Sequence, residues 1–360
     1  MTHSQPLLLG VELSGTGTHP ASWRRADSRA EELFTAEYWL DAVTAADTAG
    51  LDLAFLPDSF TLQAQGAAGR LEAVGIAARS AAATHRIGLI PQVPVTHTEP
   101  FHVSKAIASL DFATYGRAGW EVTVSHGAAA LFGRKAEQDA ASLWHEADEA
   151  VEVVTRLWDS WEDDAEIRDT ATGRFIDREK LHYIDFVGDN FSVKGPSITP
   201  RPPQGQPLVA VRAADPPSTR VAVHRADLIR IAAPDLASAA QTRGELRAAV
   251  AAAGRDPKLV RVLVDIDVHV AATEQEAAAD LAQLEAWTPT ADPNTLRHIG
   301  TPQALRELLA QVRTECAGDG VVLRPLALAP FITHLPGLTT LRDRLGLPRP
   351  VNRYALTARG

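Results

Sequence analysis

Short apolar runs alternate with longer helix-like stretches along most of the 360-residue chain. The runs are rich in aliphatic and β-branched residues and are bounded by polar turns, which is typical of strands buried on both faces. Eight runs are predicted to be strands: 7–12, 53–57, 87–93, 118–124, 208–211, 228–231, 260–270 and 321–324. This alternation predicts repeated βαβ units and a parallel sheet.

The intervening stretches have the apolar spacing of helices. They are 36–49, 71–84, 101–115, 142–161, 216–225, 236–253, 274–286 and 302–316, with a final helix predicted at 338–345. Eight strands with helices between them favour a closed barrel over an open sheet. No GxGxxG follows the first strand, which argues against a dinucleotide-binding Rossmann domain. We therefore predict a single (β/α)₈ TIM barrel over residues 1–360.

One polar, turn-rich segment interrupts the alternation. Residues 162–206 form an insertion between predicted strands 4 and 5, and two β-like pieces in it, 180–187 and 191–194, flank a Gly-Asp-Asn turn. These pieces are predicted to pair as a hairpin. We expect the insertion on the rim formed by the C-terminal ends of the strands, either as a cap on the barrel edge or as an active-site wall.

Composition and charge exclude several classes of protein. The net charge is −10 and no cluster of Lys and Arg is found, so a nucleic-acid partner is not expected. Cys316 is the only cysteine, which excludes an intrachain disulfide and suits a reducing compartment. The apolar run 7–11 ends at Glu12 without a basic region before it, and no run approaches the length of a membrane span. A cytoplasmic protein without membrane contact is expected.

The sequence contains no HExxH, GxSxG, Walker or CxxC motif, so no metal site is predicted. Four histidines lie in or near the expected C-terminal face of the barrel: His97, His102, His126 and His145. His126 directly follows predicted strand 4 and is the best candidate for a general base. A solvated or core histidine is the alternative interpretation for each of them.

Several longer segments match a known family. They are His19-Pro-Ala-Ser-Trp-Arg24, Ala54-Phe-Leu-Pro-Asp58, Glu99-Pro-Phe101, Ser109-Leu-Asp111, Gly116-Arg-Ala-Gly-Trp120, the stretch 157–165, Phe191-Ser-Val-Lys-Gly-Pro196 and the stretch 200–205. Together they resemble the bacterial-luciferase-like flavin-dependent monooxygenases, in the branch that oxidises nitrilotriacetate and dibenzothiophene sulfone. The matches run from about residue 7 to about residue 330.

The resemblance implies an activity and its partners. It implies a monooxygenase that acts on a small organic substrate with dioxygen and with reduced FMN from a separate flavin reductase. It also implies a homodimer, packed through the predicted helices 71–84 and 101–115. By position in the family pattern, the expected cofactor-binding residues are Asp58, Val95, Glu121, Arg212, Ala213 and Asp215. The expected substrate-pocket residues are Trp23, Trp120 and His97.

Some of these residues have a purely structural alternative. Asp58, at the end of a strand, could instead cap a helix. Trp23 and Trp120 could equally pack at the top of the barrel. Arg117 and Gly119 are expected to close the turn into strand 4, and the loop 287–298 is shorter than is usual in the family.

The chain departs from the family pattern around the expected flavin. Pro94-Val95 replaces Ser-Thr, Glu121 replaces Asn, and the run 211–215 replaces Gln-Ala-Gly-x-Ser. Asp215 precedes Pro216 and Pro217, which predicts a helix N-cap where a phosphate is expected. Arg212 could compensate, but strand alternation alone leaves its direction open.

These departures predict weak FMN binding and a degenerate flavin site. They also keep two alternatives open. One is a divergent barrel that has lost flavin and serves as a small-molecule-binding or structural subunit. The other is a deazaflavin-dependent oxidoreductase of the same superfamily, which would still need a phosphate site.

Overall fold

Residues 7–291, 294–328 and 350–351 are described by a computed structural model of the chain. In them the strands are β1 (Leu8–Glu12), β2 (Leu53–Leu56), β3 (Gly88–Pro94), β4 (Gly119–Thr123), β5 (Glu166–Asp169), β6 (Arg174–Ile176), β7 (Phe186–Val187), β8 (Ser192–Val193), β9 (Leu208–Arg212), β10 (Leu228–Ile231), β11 (Arg261–Val270), β12 (Leu296–Gly300) and β13 (Gly320–Pro325). The helices are α1 (Ala36–Thr48), α2 (Ala73–Ala81), α3 (Pro100–Ala113), α4 (Ala129–Phe132), α5 (Ala140–Asp159), α6 (Pro216–Arg225), α7 (Leu236–Ala252), α8 (Glu274–Trp287) and α9 (Pro302–Thr314).

Eight parallel strands close into a barrel. Their order is β1-β2-β3-β4-β9-β10-β11-β13, and β13 pairs again with β1, with Gly10 opposite Val322. All eight correspond to predicted strands, so the prediction of a (β/α)₈ barrel is confirmed. The predicted helix 338–345 lies outside the described residues.

A ninth parallel strand, β12, was not predicted. It pairs with Ile266–Val270 in the upper half of β11, while β10 pairs with Arg261–Val264 in the lower half. β13 occupies the other edge of β11. The ten-residue strand β11 therefore rises above the barrel with β12 beside it.

The lower barrel interior is apolar. Side chains from alternate positions of the strands meet there without polar groups: Leu8, Leu53, Phe55, Ile90, Leu208, Ala210, Leu228, Leu263 and Val322. Outward-facing residues of the same strands pack against the helices in two larger clusters. Because successive strand residues alternate in direction, this inner set also fixes which residues face inward higher up.

The turn into β4 is held by a buried arginine, as predicted. Arg117 donates to the carbonyls of Ile87 (2.7 Å) and Thr84 (2.8 Å). Gly119 faces inward, and a Cβ there would lie 2.6 Å from Cδ1 of Ile90. Both residues therefore act in packing rather than in chemistry.

The prediction that the insertion 162–206 lies on the C-terminal rim is wrong. Near its end, Gln204 donates through its backbone N–H to Asp111 (3.0 Å) at the end of α3, and through its side chain to the carbonyl of Ala118 (2.7 Å) just before β4. Arg201 binds Asp159 at the end of α5 (3.0 Å). The segment follows α5, which has already returned the chain to the N-terminal rim, so both of its ends lie there.

The predicted hairpin within this segment is confirmed. β7 and β8 pair antiparallel, with Phe186 opposite Val193. The hairpin tip reaches up the outer face of α5, where Glu149 accepts the backbone N–H groups of Asp189 (2.7 Å) and Asn190 (2.8 Å). A second hairpin, β5–β6, was not predicted.

Across the described residues, no helix combines the length and apolar character needed to cross a bilayer.

Candidate active site at the barrel mouth

A fully buried arginine lies in the upper barrel interior. Arg230, on β10, donates to Glu12 (2.6 Å), to Glu121 (2.9 Å) and to Asp265 (3.0 Å). Its guanidinium also lies 4.6 Å from the ring centroid of Phe55. These partners come from β1, β4, β11 and β2, so one side chain links most of the circumference of the barrel.

Further charged side chains extend this cluster toward the mouth. Arg212 pairs with Asp265 and lies 3.6 Å from Glu12. Arg324 pairs with Glu12 (3.3 Å) and with Asp267 (2.9 Å). We call this set the ionic layer: Glu12, Glu121, Arg212, Arg230, Asp265, Asp267 and Arg324.

The ionic layer shifts the titration of its members. Burial opposes the ionisation of Glu12, but Arg230, Arg212 and Arg324 lower its pKa to about 2. Burial alone would lower the pKa of Arg230, yet its three carboxylate partners raise that pKa well above the ordinary value. Burial raises the pKa of Asp267, and Arg324 and Arg297 only partly offset this. Glu12 and Arg230 are therefore charged at neutral pH.

Two of the predicted cofactor residues belong to the ionic layer. Glu121 is 1% exposed, and both Arg230 and Gln92 (2.7 Å) bind its carboxylate. Arg212 faces inward because Leu208 and Ala210, on the same face of β9, lie in the apolar interior. The structure therefore shows that Arg212 points into the barrel, where its guanidinium forms ion pairs with Asp265 and Glu12.

The N-terminus of α6 forms the cap that the sequence predicted. The carboxylate of Asp215 accepts the backbone N–H of Ser218 (2.8 Å), and the hydroxyl of Ser218 accepts those of Ala214 and Asp215 (both 3.0 Å). Pro216 and Pro217 have no N–H group. The N–H groups with which a helix N-terminus would bind a phosphate are thus absent or already used.

The comparison with known families identifies the chain. The family described as luciferase-like monooxygenase matches residues 16–319. The chain belongs to the luciferase-like monooxygenase family. This confirms the resemblance found in the sequence.

Individual relatives agree with that assignment. The chain is 35% identical over 282 residues to N-acetyl-S-(2-succino)cysteine monooxygenase of Bacillus subtilis (strain 168), covering 77% of this chain and 64% of that protein. It is 32% identical over 297 residues to nitrilotriacetate monooxygenase component A of Aminobacter aminovorans, covering 78% and 65%. The chain thus spans less than two thirds of the length of these relatives.

A solved structure shows the same fold. EDTA monooxygenase from Chelativorans sp. BNC1 superposes with a TM-score of 0.82 at 23% identity, covering 96% of this chain and 99% of that one. In this fold the strand C-termini carry the active site. The candidate catalytic residues are therefore those at the mouth of the barrel.

The remaining predicted cofactor residues lie at the mouth in supporting positions. Asp58 accepts the backbone N–H groups of Ser59 (2.7 Å) and Ala73 (3.0 Å), the second being the first residue of α2. Val95 is 1% exposed and packs in the outer core. Ala213 donates its N–H to the carbonyl of Arg230 (2.9 Å).

The predicted substrate-pocket residues lie in different environments. Trp120 is fully buried among the outward-facing core residues, so it does not line the mouth and that expectation is corrected. It neighbours Glu121 on a strand, and the two side chains must point to opposite faces. Trp23 is 45% exposed. His97 stacks on Phe132, with ring centroids 4.4 Å apart, and burial lowers its pKa.

His126, the proposed general base, is exposed on the turn after β4. Within the portion of the chain that the structure describes, its ring has no hydrogen-bond partner. A better-oriented histidine was missed. His269 on β11 is 2% exposed and lies 2.9 Å from Asp280 of α8, and its other ring nitrogen has no partner among the described residues.

A signal in the sequence could have found this part of the site. Asp265, Asp267 and His269 stand at alternate positions of a strand that is otherwise apolar after Arg261, and therefore share its inward face. Arg230 interrupts the apolar run Leu228–Ile231 in the same way. Charged residues on the inner face of a barrel strand require partners, which marks these positions.

One group on the outer face of α5 has the composition of a metal site. His145, Glu149 and Asp189 place their ligand atoms within 4.8 Å of one another. His145 is hydrogen-bonded to Asp189 (2.9 Å), and Glu149 already accepts N–H groups of the hairpin tip. These bonds account for the group as a contact that holds the β7–β8 hairpin on α5.

Proposed function

We propose that the chain is a flavin-dependent monooxygenase that oxidises a small organic substrate with dioxygen and reduced FMN. The observation that carries the proposal is the family match over residues 16–319 on a barrel whose mouth holds buried ionisable side chains. Supporting it, the relatives named above are monooxygenases of small organic acids. A separate flavin reductase is the proposed source of the reduced flavin.

The flavin is proposed to be held weakly. The N-terminus of α6 does not fit a phosphate, because its N–H groups are missing or bound within the cap. The ionic layer has four carboxylates and three guanidinium groups, which leaves one negative charge in excess when all are ionised. Both features oppose an anionic flavin, so we derive no chemical step through this group.

Titration of FMN against the full chain tests the weak-binding proposal. We expect a wild-type Kd near the millimolar range, since each loss of about 1.4 kcal/mol weakens binding tenfold. The triple variant Asp215→Ser, Pro216→Ala, Pro217→Ala restores N–H donors and removes a charge, and we expect it to bind FMN at least about tenfold more tightly. Fluorescence quenching measures both constants.

A matched control uses the next helix. Asp235 caps α7 through the same bond to the N–H of Ser238 (2.7 Å). Asp235→Ser is expected to leave FMN binding unchanged. A wild-type Kd of about 1 µM or lower would contradict the proposal of weak binding.

Formation of an oxygenated product tests the activity itself. The chain is mixed with a flavin reductase, FMN and NADH, and a panel of small organic acids is added in turn. We expect one of these acids to yield an oxygenated product that is not formed when the chain is omitted. Product formation equal with and without the chain would contradict the proposed activity.

The cap at α6 also favours a second candidate function, a small-molecule-binding barrel that has lost flavin. In that case neither oxidised nor reduced FMN would bind the wild-type chain, although a substrate-like ligand still would. Anaerobic titration with reduced FMN separates the two functions.

We further propose a cytoplasmic homodimer packed through the stretches 71–84 and 101–115. Phe112 (42% exposed) and Tyr115 (87% exposed) lie in the second stretch and are unusually large apolar groups for a solvent-facing surface. Light scattering at micromolar concentration tests this assembly, and a strict monomer would contradict it.

A further inference from the structure

A partly open cavity of about 160 Å³ lies at the C-terminal rim, between the loops that follow β1 and β2. Its walls come from residues 14–22 and 63–71, with Leu33, Trp39 and Pro57 completing them. Ligand pockets for drug-sized molecules are typically about 300–1,000 Å³. This cavity therefore suits one functional group of a ligand rather than a whole cofactor.

One cationic side chain, Arg70, lines this cavity without a direct partner. Its Nε is buried, and among residues 7–291 and 294–328 its guanidinium makes no hydrogen bond or ion pair. Burial lowers the pKa of Arg70, and the more distant carboxylate of Asp58 only partly counters this. Asp58 is itself committed to the N–H groups of Ser59 and Ala73. Arg70 is half-buried, and its buried Nε lacks the hydrogen bond that a buried donor requires.

The loop after β1 offers free backbone donors. Ser14, Gly15 and Thr16 line the cavity, and their N–H groups donate no hydrogen bond to any described residue. Gly15 has φ +55°, and such left-handed turns present successive N–H groups to anions. The neighbouring wall is fixed in shape, since a Cβ on Gly17 would lie 2.3 Å from the carbonyl oxygen of Leu326.

Several other polar side chains of the wall are already hydrogen-bonded. Gln63 binds both the N–H and the carbonyl of Gly69 (3.0 and 3.2 Å), and Thr16 binds Ser22 (2.7 Å). His19 accepts the N–H of Ala21 on Nδ1 (3.1 Å), and burial lowers its pKa. Arg70 is therefore the cationic group available to a ligand, together with the backbone donors and the neutral side chains of Ser14 and Gln65.

We propose that this cavity is an anion subsite in which Arg70 and the N–H groups of residues 14–16 bind a carboxylate group of a small organic acid. A carboxylate matches the planar guanidinium fork of arginine. A single negative charge also balances the single charge of Arg70, whereas a doubly charged phosphate would leave an excess beside Asp58. That the carboxylate belongs to the substrate rests on the proposed function; the anion site itself does not.

The position of the cavity supports a substrate role. It opens beside β1 and β2, whereas the N-terminus of α6 follows β9, and β3 and β4 stand between them in the barrel. An acid anchored at Arg70 would thus reach over the ionic layer from the side away from α6. The residues that recognise the acid and those that cap α6 are then separate.

Calorimetric titration of the full chain with succinate, without flavin, tests the proposal. We expect saturable binding by the wild-type chain and at least about tenfold weaker binding by Arg70→Gln, since a charged hydrogen-bonded pair is lost. Arg178→Gln is the control, because Arg178 is an exposed arginine of the insertion 162–206. It is expected to bind succinate as the wild-type chain does.

Stability gives a second readout that separates binding from a structural role. Without ligand, Arg70→Gln is expected to be at least as stable to urea as the wild-type chain, because the guanidinium it removes has no partner. Succinate is expected to raise the Tm of the wild-type chain and not that of Arg70→Gln.

Three results would overturn the proposal: no succinate binding by the wild-type chain, unchanged binding by Arg70→Gln, or marked destabilisation by Arg70→Gln. Tighter binding of inorganic phosphate than of succinate, lost in Arg70→Gln, would overturn the carboxylate assignment. A chain that binds succinate through Arg70 yet forms no oxygenated product with any acid of the panel would contradict only the proposed monooxygenase activity.

Discussion

The lower and upper halves of the barrel interior are filled by opposite kinds of side chain. The lower half holds aliphatic residues and Phe55, which meet through apolar contact alone. The upper half holds the ionic layer, with Arg230 completely buried at its centre. Five strands, β1, β9, β10, β11 and β13, contribute to both halves, with side chains two or four residues apart.

The two halves are expected to respond differently to substitution. Apolar packing is non-directional, so the lower half should tolerate swaps that keep volume and should lose stability in proportion to the cavity made. The ionic layer is directional and mutually dependent. Removing one member leaves the others buried without compensation.

The largest effect is expected from Arg230→Met. This substitution leaves Glu12, Glu121 and Asp265 buried together without their shared cation, and removing one partner of a buried ionic cluster typically costs about 3–5 kcal/mol. Urea unfolding measures the change in the free energy of unfolding. Arg178→Met, at an exposed position of the insertion 162–206, is the control and should change stability by less than about 0.5 kcal/mol.

A loss below about 1 kcal/mol for Arg230→Met would mean that the carboxylates find other partners or take up protons. The same reasoning applies to Glu121, which stands where the family pattern has Asn. Glu121→Asn would not simply remove a charge that repels flavin, because Glu121 is bound to Arg230 and Gln92. Such a variant should lose stability.

An intermediate effect is expected from acid. Glu12 has a folded pKa of about 2 against an ordinary value of 4.5, so its contribution to stability is present above pH 4.5 and is lost as the pH falls toward 2. The raised pKa of Asp267 acts in the opposite sense, because its protonation relieves a buried charge. We expect the Glu12 contribution to make the wild-type chain lose stability over this window.

The lower half provides the comparison. Leu53→Ala should cost about 2–5 kcal/mol, and this cost should be the same at pH 7 and pH 3. The cost of Arg230→Met should shrink over the same range, because Arg230 contributes most to lowering the pKa of Glu12 and without it Glu12 takes up its proton at a higher pH. Urea midpoints of the three proteins at several pH values measure this, and a pH-independent cost for Arg230→Met would break the distinction between the halves.

The smallest effect is expected at the rim. Asp215→Ala removes the cap of α6 and should cost about 1 kcal/mol, with Asp235→Ala at α7 as a matched control of similar cost. Both are measured by urea unfolding. A cost above about 3 kcal/mol at Asp215 alone would tie the cap to the ionic layer, which the structure separates from it.

The sequence predicted the barrel because its strands are apolar runs that alternate regularly with helix-like stretches. The sequence-based prediction failed for β12 and for the insertion 162–206. β12 is short and mixes polar with apolar residues, and it forms because the upper half of β11 offers a free edge. The place of the insertion 162–206 between strands 4 and 5 does not by itself determine its rim. The helix α5 precedes the insertion and returns the chain to the N-terminal rim before it begins.

The candidate site was predictable only in part. The cap at Asp215 is local, set by an aspartate before two prolines, and the sequence determined it. The partners of Glu121 and the direction of Arg212 depend on residues 109 and 53 positions away in the chain, at Arg230 and Asp265. No local pattern contains such pairs.

By itself, then, the sequence determined the alternation of strands and helices, the helix caps and the positions of charge within apolar strands, because each depends on neighbours in the chain. Tertiary structure alone decided which buried charges meet, that Arg70 has no partner among the described residues, and which rim the insertion occupies. These depend on closure of the barrel, which brings distant strands within hydrogen-bonding distance and fixes the free energy of every charge between them.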